Sequence, residues 1–341
     1  MSLLEIRNLR THVRTRGGTA RAVDGVDLFL SEGEAVGLVG ESGSGKTMLA
    51  LSILGLQPEG TGTILPGSSI RIRGEELVGG SDQRFRNIRG GEVAMIFQEP
   101  MTSLNPVYTV GDQILEAVEL HRSLNRKDAL AEVLRLLGEV GIVDPQARAG
   151  HYPHQLSGGM RQRAMIAMAL AGEPSLLVAD EPTTALDVTI QAQILSLLKR
   201  IQARLRMGLL LISHDLNVVS RVCERIVILY AGRVVESGRT EEILAAPRHP
   251  YTRGLMGSRL SFDDRRSALR AIPGEVPEAT EWPGGCRFHP RCSEVLDRCR
   301  REEPSLLFMG GGQGAVEVDD GPRGVHRKAR CWLLPEEKGS P

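Results

Sequence analysis

The chain opens on two short runs in which apolar and polar side chains alternate, Leu4 to Leu9 and Val26 to Leu30, the period of strands with one buried face. After the polar Ser31-Glu-Gly-Glu34 the pattern changes to Ala35-Val-Gly-Leu-Val39, an unbroken apolar stretch that predicts a strand buried on both faces. It ends on a glycine-rich loop followed by a helix-like segment, Thr47 to Leu54. Apolar strands ending in polar residues recur at Ser175-Leu-Leu-Val-Ala-Asp180 and Leu209-Leu-Leu-Ile-Ser213. Such strands belong at the centre of a parallel sheet, where ligands collect at the carboxyl ends.

Helical periodicity fills the interval. Val110 to Leu120 predicts one helix, and Asn125-Arg-Lys-Asp128 is an approximate cap for a second, with an apolar stripe of Leu130, Val133, Leu134, Leu137 and Val140 closed by Gly141. Residues 100–160 therefore read as a helical insertion. Pro247, Pro250, Pro273, Gly274 and Pro277 mark the exit into a tail rich in turns and arginine. The chain carries no internal repeat and no heptad run, which disfavours a coiled coil.

Composition narrows the class. The 341 residues are 41% hydrophobic, 25% charged and 4% aromatic, which suits an α/β protein with a substantial core. Lys+Arg and Asp+Glu both number 42, so no broad basic field for nucleic acid or anionic lipid is implied. Met1 to Arg10 lacks the apolar core and cleavage site of a secretory signal, and the chain is expected to stay inside the cell. No apolar run approaches the roughly eighteen residues a membrane span needs, so a membrane role is expected to run through a partner.

The strongest local chemistry is Gly40-Glu41-Ser42-Gly43-Ser44-Gly45-Lys46-Thr47, which fits G-x-x-x-x-G-K-[ST] between a strand and a helix. Its backbone N–H groups and the helix N-terminus suit phosphates, Lys46 suits the β and γ oxygens, and the Thr47 hydroxyl suits Mg²⁺. Asp180, at the end of its strand, is a candidate for the Mg²⁺ shell, and Glu181 beside it for the base that activates water. His214, after the next strand, is a candidate to contact the γ-phosphate.

Leu156-Ser157-Gly158-Gly159-Met160-Arg-Gln-Arg163 discriminates among P-loop ATPases, because Ser-Gly-Gly at a helix start resembles the ABC signature. Phe97-Gln98 before it, and Asp180-Glu181, Ala185-Leu186-Asp187 and His214 after it, follow the ABC order of motifs. The strings Phe97 to Pro106, Ala185 to Gln193, His249-Pro-Tyr-Thr252 and Ile272 to Pro277 are similar to those of dipeptide, oligopeptide and nickel importer ATPases.

The resemblance implies a RecA-like core with an antiparallel β subdomain and a helical subdomain. It implies an ATPase domain over residues 1–255, helical at about 100–160, and a small Cys-rich extension over 256–341. Gln98 would touch Mg²⁺ and link to membrane subunits; Ser157, Gly158 and Gly159 would cap ATP on the opposite subunit; Asp187 would lie at the dimer contact. The implied activity is MgATP hydrolysis driving an importer at the cytoplasmic face of the bacterial inner membrane. The implied partners are a paralogous ATPase or a second copy, two integral membrane permeases and, indirectly, an extracytoplasmic binding protein, with no nucleic acid. Peptides are the expected cargo, with nickel or glutathione as alternatives and a soluble non-transport ABC ATPase as the remoter one. Met160, where most ABC signatures have Gln, reads as a mark of one of the two paired peptide-importer ATPases. The segment before the core, Thr11 to Gly18, lacks an aromatic to stack on adenine and leaves His12, Arg14 and Arg16 as planar substitutes.

Cys286, Cys292, Cys299 and Cys331 crowd the arginine-rich tail without the C-x-x-C pairs of most zinc sites, so their pattern leaves reduced thiols and a metal site both open. The family extension, some of whose members bind a [4Fe-4S] cluster through four such cysteines, implies that cluster here, with Zn²⁺ as the alternative. Cys223 reads as a small buried side chain.

Overall fold

The computed structural model describes residues 2–98, 103–184, 186–257, 272–309, 315–316 and 327–334. Within the strings above, residues 99–102 and Ala185 lie outside that set. Two compact units emerge, one from the described residues of 1–29, 36–78 and 213–341, the other from 30–35 and 79–212.

In the first unit an antiparallel sheet runs in the order Gly18–Ser31, Ser2–Thr15, Ser69–Ile72, Glu75–Glu76, with Gly62–Ile64 added to Ser2–Thr15. Ile6 stands opposite Ile70 and Leu4 opposite Ile72, all buried on one face. The first two strands are far longer than the alternation at 4–9 and 26–30 predicts. Their outer arms are mostly solvated and offer too little apolar alternation to read, and pairings such as Thr11 with Ile64 extend the first of them.

A second group of strands in this unit is ordered Ala315–Val316, Leu307–Met309, Arg327–Ala329, Arg233–Arg239, Arg225–Tyr230, Ala35–Val39. Arg225–Tyr230 and Ala35–Val39 are parallel, and all five residues of the latter are buried, as its continuous apolar run predicts. Arg327–Ala329 covers the edge of Arg233–Arg239, so the tail adds strands that its turn-rich composition conceals.

The tail also docks through polar bonds. Trp282 Nε1 donates to the Arg21 carbonyl (3.2 Å), and Arg287 pairs with buried Asp24 while donating to the Ala231 carbonyl (2.6 Å). Burial raises the Asp24 carboxyl, but its bonds to Arg287 and Arg233 outweigh that and hold it below its ordinary range.

His249 lies wholly inside this unit with Tyr230, Tyr251 and Phe288. Its Nδ1 accepts the Tyr251 N–H (3.0 Å), which requires the neutral ring, and burial pushes its pKa down to about 3 with Arg253 and Arg330 adding to the effect. Between its ordinary 6.5 and about 3 the unfolded chain takes up a proton that the folded chain refuses. Stability therefore falls as pH drops through that window, by about 2 kcal/mol between about pH 7.5 and 5 from this residue. Urea midpoints at those two pH values should converge more closely in His249→Gln than in the wild type; equal pH dependence in the two proteins would exclude the assignment.

In the second unit Val93–Ile96, Leu176–Asp180 and Gly208–Ser213 form a parallel group with Leu176–Asp180 in the middle, buried throughout. Helices Val110–His121, Arg126–Glu139, Gly158–Leu170 and Val188–Leu205 accompany it. On Arg126–Glu139 the buried face is Ala129, Val133, Leu136 and Leu137, whereas Leu130 is 48% exposed. Val133, Leu137 and Val140 of the predicted stripe are buried, but Ala129 and Leu136 take the places of Leu130 and Leu134, because both pairs match the period.

Candidate functional site

Helix Lys46–Ile53 starts inside the glycine-rich loop. Its N-cap, Gly45, has φ +104°, and a Cβ there would collide with the Ala22 carbonyl, so conformation and space both demand glycine. The helix has no acidic residue in its first turn, and its N-terminus offers amides and positive potential to an anion. Lys46 is buried and its Nζ donates to the carbonyls of Gly40 (2.7 Å) and Glu41 (2.9 Å). Ser44 is buried as well, while Ser42, Gly43 and Thr47 are exposed. Glu41 is gripped twice: its N–H donates to the Tyr251 hydroxyl (2.8 Å), and its carboxylate accepts from Arg291 (2.8 Å). His214 belongs to this same unit and is exposed just after Ser213. Of the adenine candidates, Arg14 is bound to the Gly60 carbonyl (2.7 Å) and Arg16 is exposed.

The second unit holds the carboxylates. Asp180 closes the central strand and is 1% exposed. Glu181 follows in the left-handed region (φ 46°), a costly conformation for a side-chain-bearing residue and one that persists where surrounding bonds impose it. Those bonds are present: its N–H donates to the Ile212 carbonyl (3.0 Å), and its Oε2 accepts from Gln98 Nε2 (3.1 Å) and Thr184 Oγ1 (2.9 Å). The carboxylate is thereby aimed.

Ser157 is exposed and caps helix Gly158–Leu170, its Oγ accepting the Met160 N–H (3.4 Å). Asp187 caps helix Val188–Leu205 through the Ile190 N–H (2.9 Å). A Cβ on Gly159 would stand 2.9 Å from Ile190 Cγ2, so the glycine lets these two capped helix starts approach each other. The predicted Ser-Gly-Gly and Asp187 are thus neighbours.

All four tail cysteines line one pocket, together with His249 and His289. The Cys286 N–H donates to the Cys299 carbonyl (2.9 Å), which closes the segment between them. Burial pushes the Cys286 thiol up to about 12, with the thiols of Cys299, Cys331 and Cys292 adding to it; burial likewise raises Cys292 and Cys331. Among the described residues no three His, Cys, Asp or Glu side chains converge as one metal ion would require. Four thiolates are a donor set that zinc and iron–sulfur clusters both take. Cys223 is buried in the turn after helix Leu216–Ser220, apart from that pocket.

The family model "ABC transporter" matches residues 23–184, and "Oligopeptide/dipeptide transporter, C-terminal region" matches 235–299. The dipeptide transport ATP-binding protein DppD of Escherichia coli is 48% identical over 341 residues, covering 100% of this chain and 99% of that protein. The chain belongs to the ABC transporter ATP-binding proteins of the oligopeptide/dipeptide family. The oligopeptide transport ATP-binding protein AppD of Bacillus subtilis is 46% identical over 98% of each chain. Two solved dimeric forms of one ABC cassette, one in a post-hydrolysis state bound to ADP and Pi, align at TM-score 0.61 and 28% identity, over 70% of this chain and 98% of theirs. This ABC ATPase therefore has the cassette fold expected from its motifs. Among the described residues, none of its helices is long and apolar enough to cross a membrane.

The site residues that the sequence did not disclose are Thr184, Tyr251 and Arg291. Thr184 stands only three positions from Glu181, close enough in the chain for its hydroxyl to reach that carboxylate. Tyr251 and Arg291 reach Glu41 across 210 and 250 residues of chain; the string His249-Pro-Tyr-Thr252 marks Tyr251, but nothing local announces either contact.

Proposed function

We propose that this ABC ATPase energises the import of peptides of the dipeptide/oligopeptide type, coupling closure of a MgATP-loaded dimer to membrane subunits. The observation that carries the reading is the full-length 48% identity to a dipeptide transport ATP-binding protein, which extends through the tail as well as the cassette. In this reading residues 1–255 are the ATPase domain, helical at about 100–160, and 256–341 the family extension. Gly40 to Thr47 cradle the phosphates, with Lys46 turning from the loop carbonyls to the β and γ oxygens. Glu181, aimed by Gln98 and Thr184, takes the proton of the attacking water, and His214 steadies the γ-phosphate. Mg²⁺, when bound, neutralises phosphate charge; the hydroxyl of Thr47, the amide oxygen of Gln98 and the carboxylate of Asp180 are hard oxygen donors that suit it. Ser157, Gly158 and Gly159 present a hydroxyl and helix-start amides to the nucleotide of the opposite subunit, with Asp187 beside them at the dimer contact.

The partners are a paralogous ATPase or a second copy, two permeases at the cytoplasmic face of the cell membrane, and an extracytoplasmic binding protein acting through them. The test is genetic. In a strain deleted for this chain and auxotrophic for an amino acid, wild-type protein should restore growth on dipeptides containing it, and Lys46→Ala should not. Restoration of nickel or glutathione uptake alone would reassign the cargo, and restoration of neither would point to a non-transport role.

The second part of the proposal is that Cys286, Cys292, Cys299 and Cys331 hold a [4Fe-4S] cluster that staples the tail. The shared pocket supports it, and ligation there would add folding energy. Anaerobically purified protein is expected to be brown with about four irons per chain. Changing any one of the four to Ser should bleach it and expose the tail to protease, whereas Cys223→Ser should do neither. Colourless protein with stoichiometric zinc, or with neither metal, would overturn the cluster.

A further inference from the structure

Glu41 is the one acidic residue in the loop Gly40–Thr47, whose amides and Lys46 otherwise favour an anion. A bare carboxylate there repels a triphosphate. Its charge is met by Arg291, in the short turn His289–Arg291, at 2.8 Å. The Arg291 side chain is only 6% exposed, against 28% for Glu41, and it also donates to the carbonyls of Pro273 (2.8 Å) and Gly274 (3.1 Å). The guanidinium fork is thus anchored by the tail before it reaches the loop. On the other side the Tyr251 hydroxyl, from helix Pro250–Gly257, accepts the Glu41 N–H. Both contacts come from chain beyond the strand Arg233–Arg239.

We propose that Arg291 is a positioning residue for the phosphate loop, which neutralises Glu41 and holds it aside so that the docked tail sets nucleotide affinity. The inference rests on the reading of Gly40–Thr47 as the nucleotide site. Two consequences follow from its electrostatic nature. The effect of Arg291 must depend on the charge of Glu41, and it must weaken with salt, because a partly exposed carboxylate is screened.

The experiment is a titration of the full-length protein with a fluorescent ATP analogue at low and high salt, with KM and kcat for ATP measured alongside. R291A and R291Q are each expected to weaken binding roughly tenfold at low salt, the scale of one unit charge acting across a partly screened site, and less at high salt. R291Q retains a donor for the tail carbonyls, so it reports on charge even if R291A loosens the tail. R291K should recover most of the loss. KM should rise with the dissociation constant while kcat at saturating ATP moves little. Introduced into an E41Q background and compared with E41Q alone, R291Q should have no further effect. A loss of equal size in both backgrounds, or none in either, would overturn the proposal. K46A separates the two levels: if it binds nucleotide as wild type does, the nucleotide-site reading itself fails. If K46A loses binding while R291Q binds normally, only the role of Arg291 fails.

Discussion

Glu181→Gln is expected to bind ATP and to hydrolyse it about 10²- to 10⁴-fold more slowly than wild type. The substitution keeps the hydrogen-bonding shape of the side chain, so the loop Gly40–Thr47 is untouched, but it removes the group able to take a proton from water. The geometry sharpens this expectation. Glu181 Oε2 already accepts from Gln98 and Thr184, and Gln presents either an oxygen or an NH₂ group there; neither replaces the base. Lys46→Ala should behave oppositely, losing nucleotide binding, because it deletes the buried cation of the loop. Single-turnover hydrolysis with partner subunits present, together with nucleotide binding by both variants, is the measurement. Equal hydrolysis rates in wild type and Glu181→Gln would remove Glu181 from its role.

Ser157→Arg is expected to abolish ATP-driven dimerisation while leaving ATP binding by the monomer largely intact. Ser157 is exposed at the start of a 13-residue helix, and in the proposed function it meets the neighbouring subunit's nucleotide. An arginine puts bulk and charge where another subunit must close. It also deletes a helix cap, at a cost of about 1 kcal/mol, so a modest loss of thermal stability should accompany the effect. Ser157→Ala separates the two causes: it loses the cap without adding bulk, and it should still dimerise. Light scattering with ATP in a Glu181→Gln background reads the outcome. Dimers that form equally well with Arg at 157 would reduce Ser157-Gly-Gly159 to a turn.

What the sequence by itself determined is the local chemistry. The strand Ala35–Val39 is bounded as its apolar run predicts, and helix Val110–His121 lies within one residue of its predicted end. Gly40–Thr47, Asp180-Glu181 and Ser157-Gly-Gly159 sit at strand ends and helix starts, because backbone dihedrals, caps and buried runs are properties of a few adjacent residues. Tertiary structure decided the rest. The outer arms of Ser2–Thr15 and Gly18–Ser31 are strands because neighbouring strands pair with them, not because their side chains alternate legibly. Leu130 faces outward and Ala129 inward because packing chose between two faces with equal period. The tail became part of a sheet by covering the edge at Glu236 and Ser237. Arg291 and Tyr251 came to the phosphate loop from 250 and 210 residues away, a meeting that only the folded chain creates, since contacts between distant segments leave no periodic trace in either one.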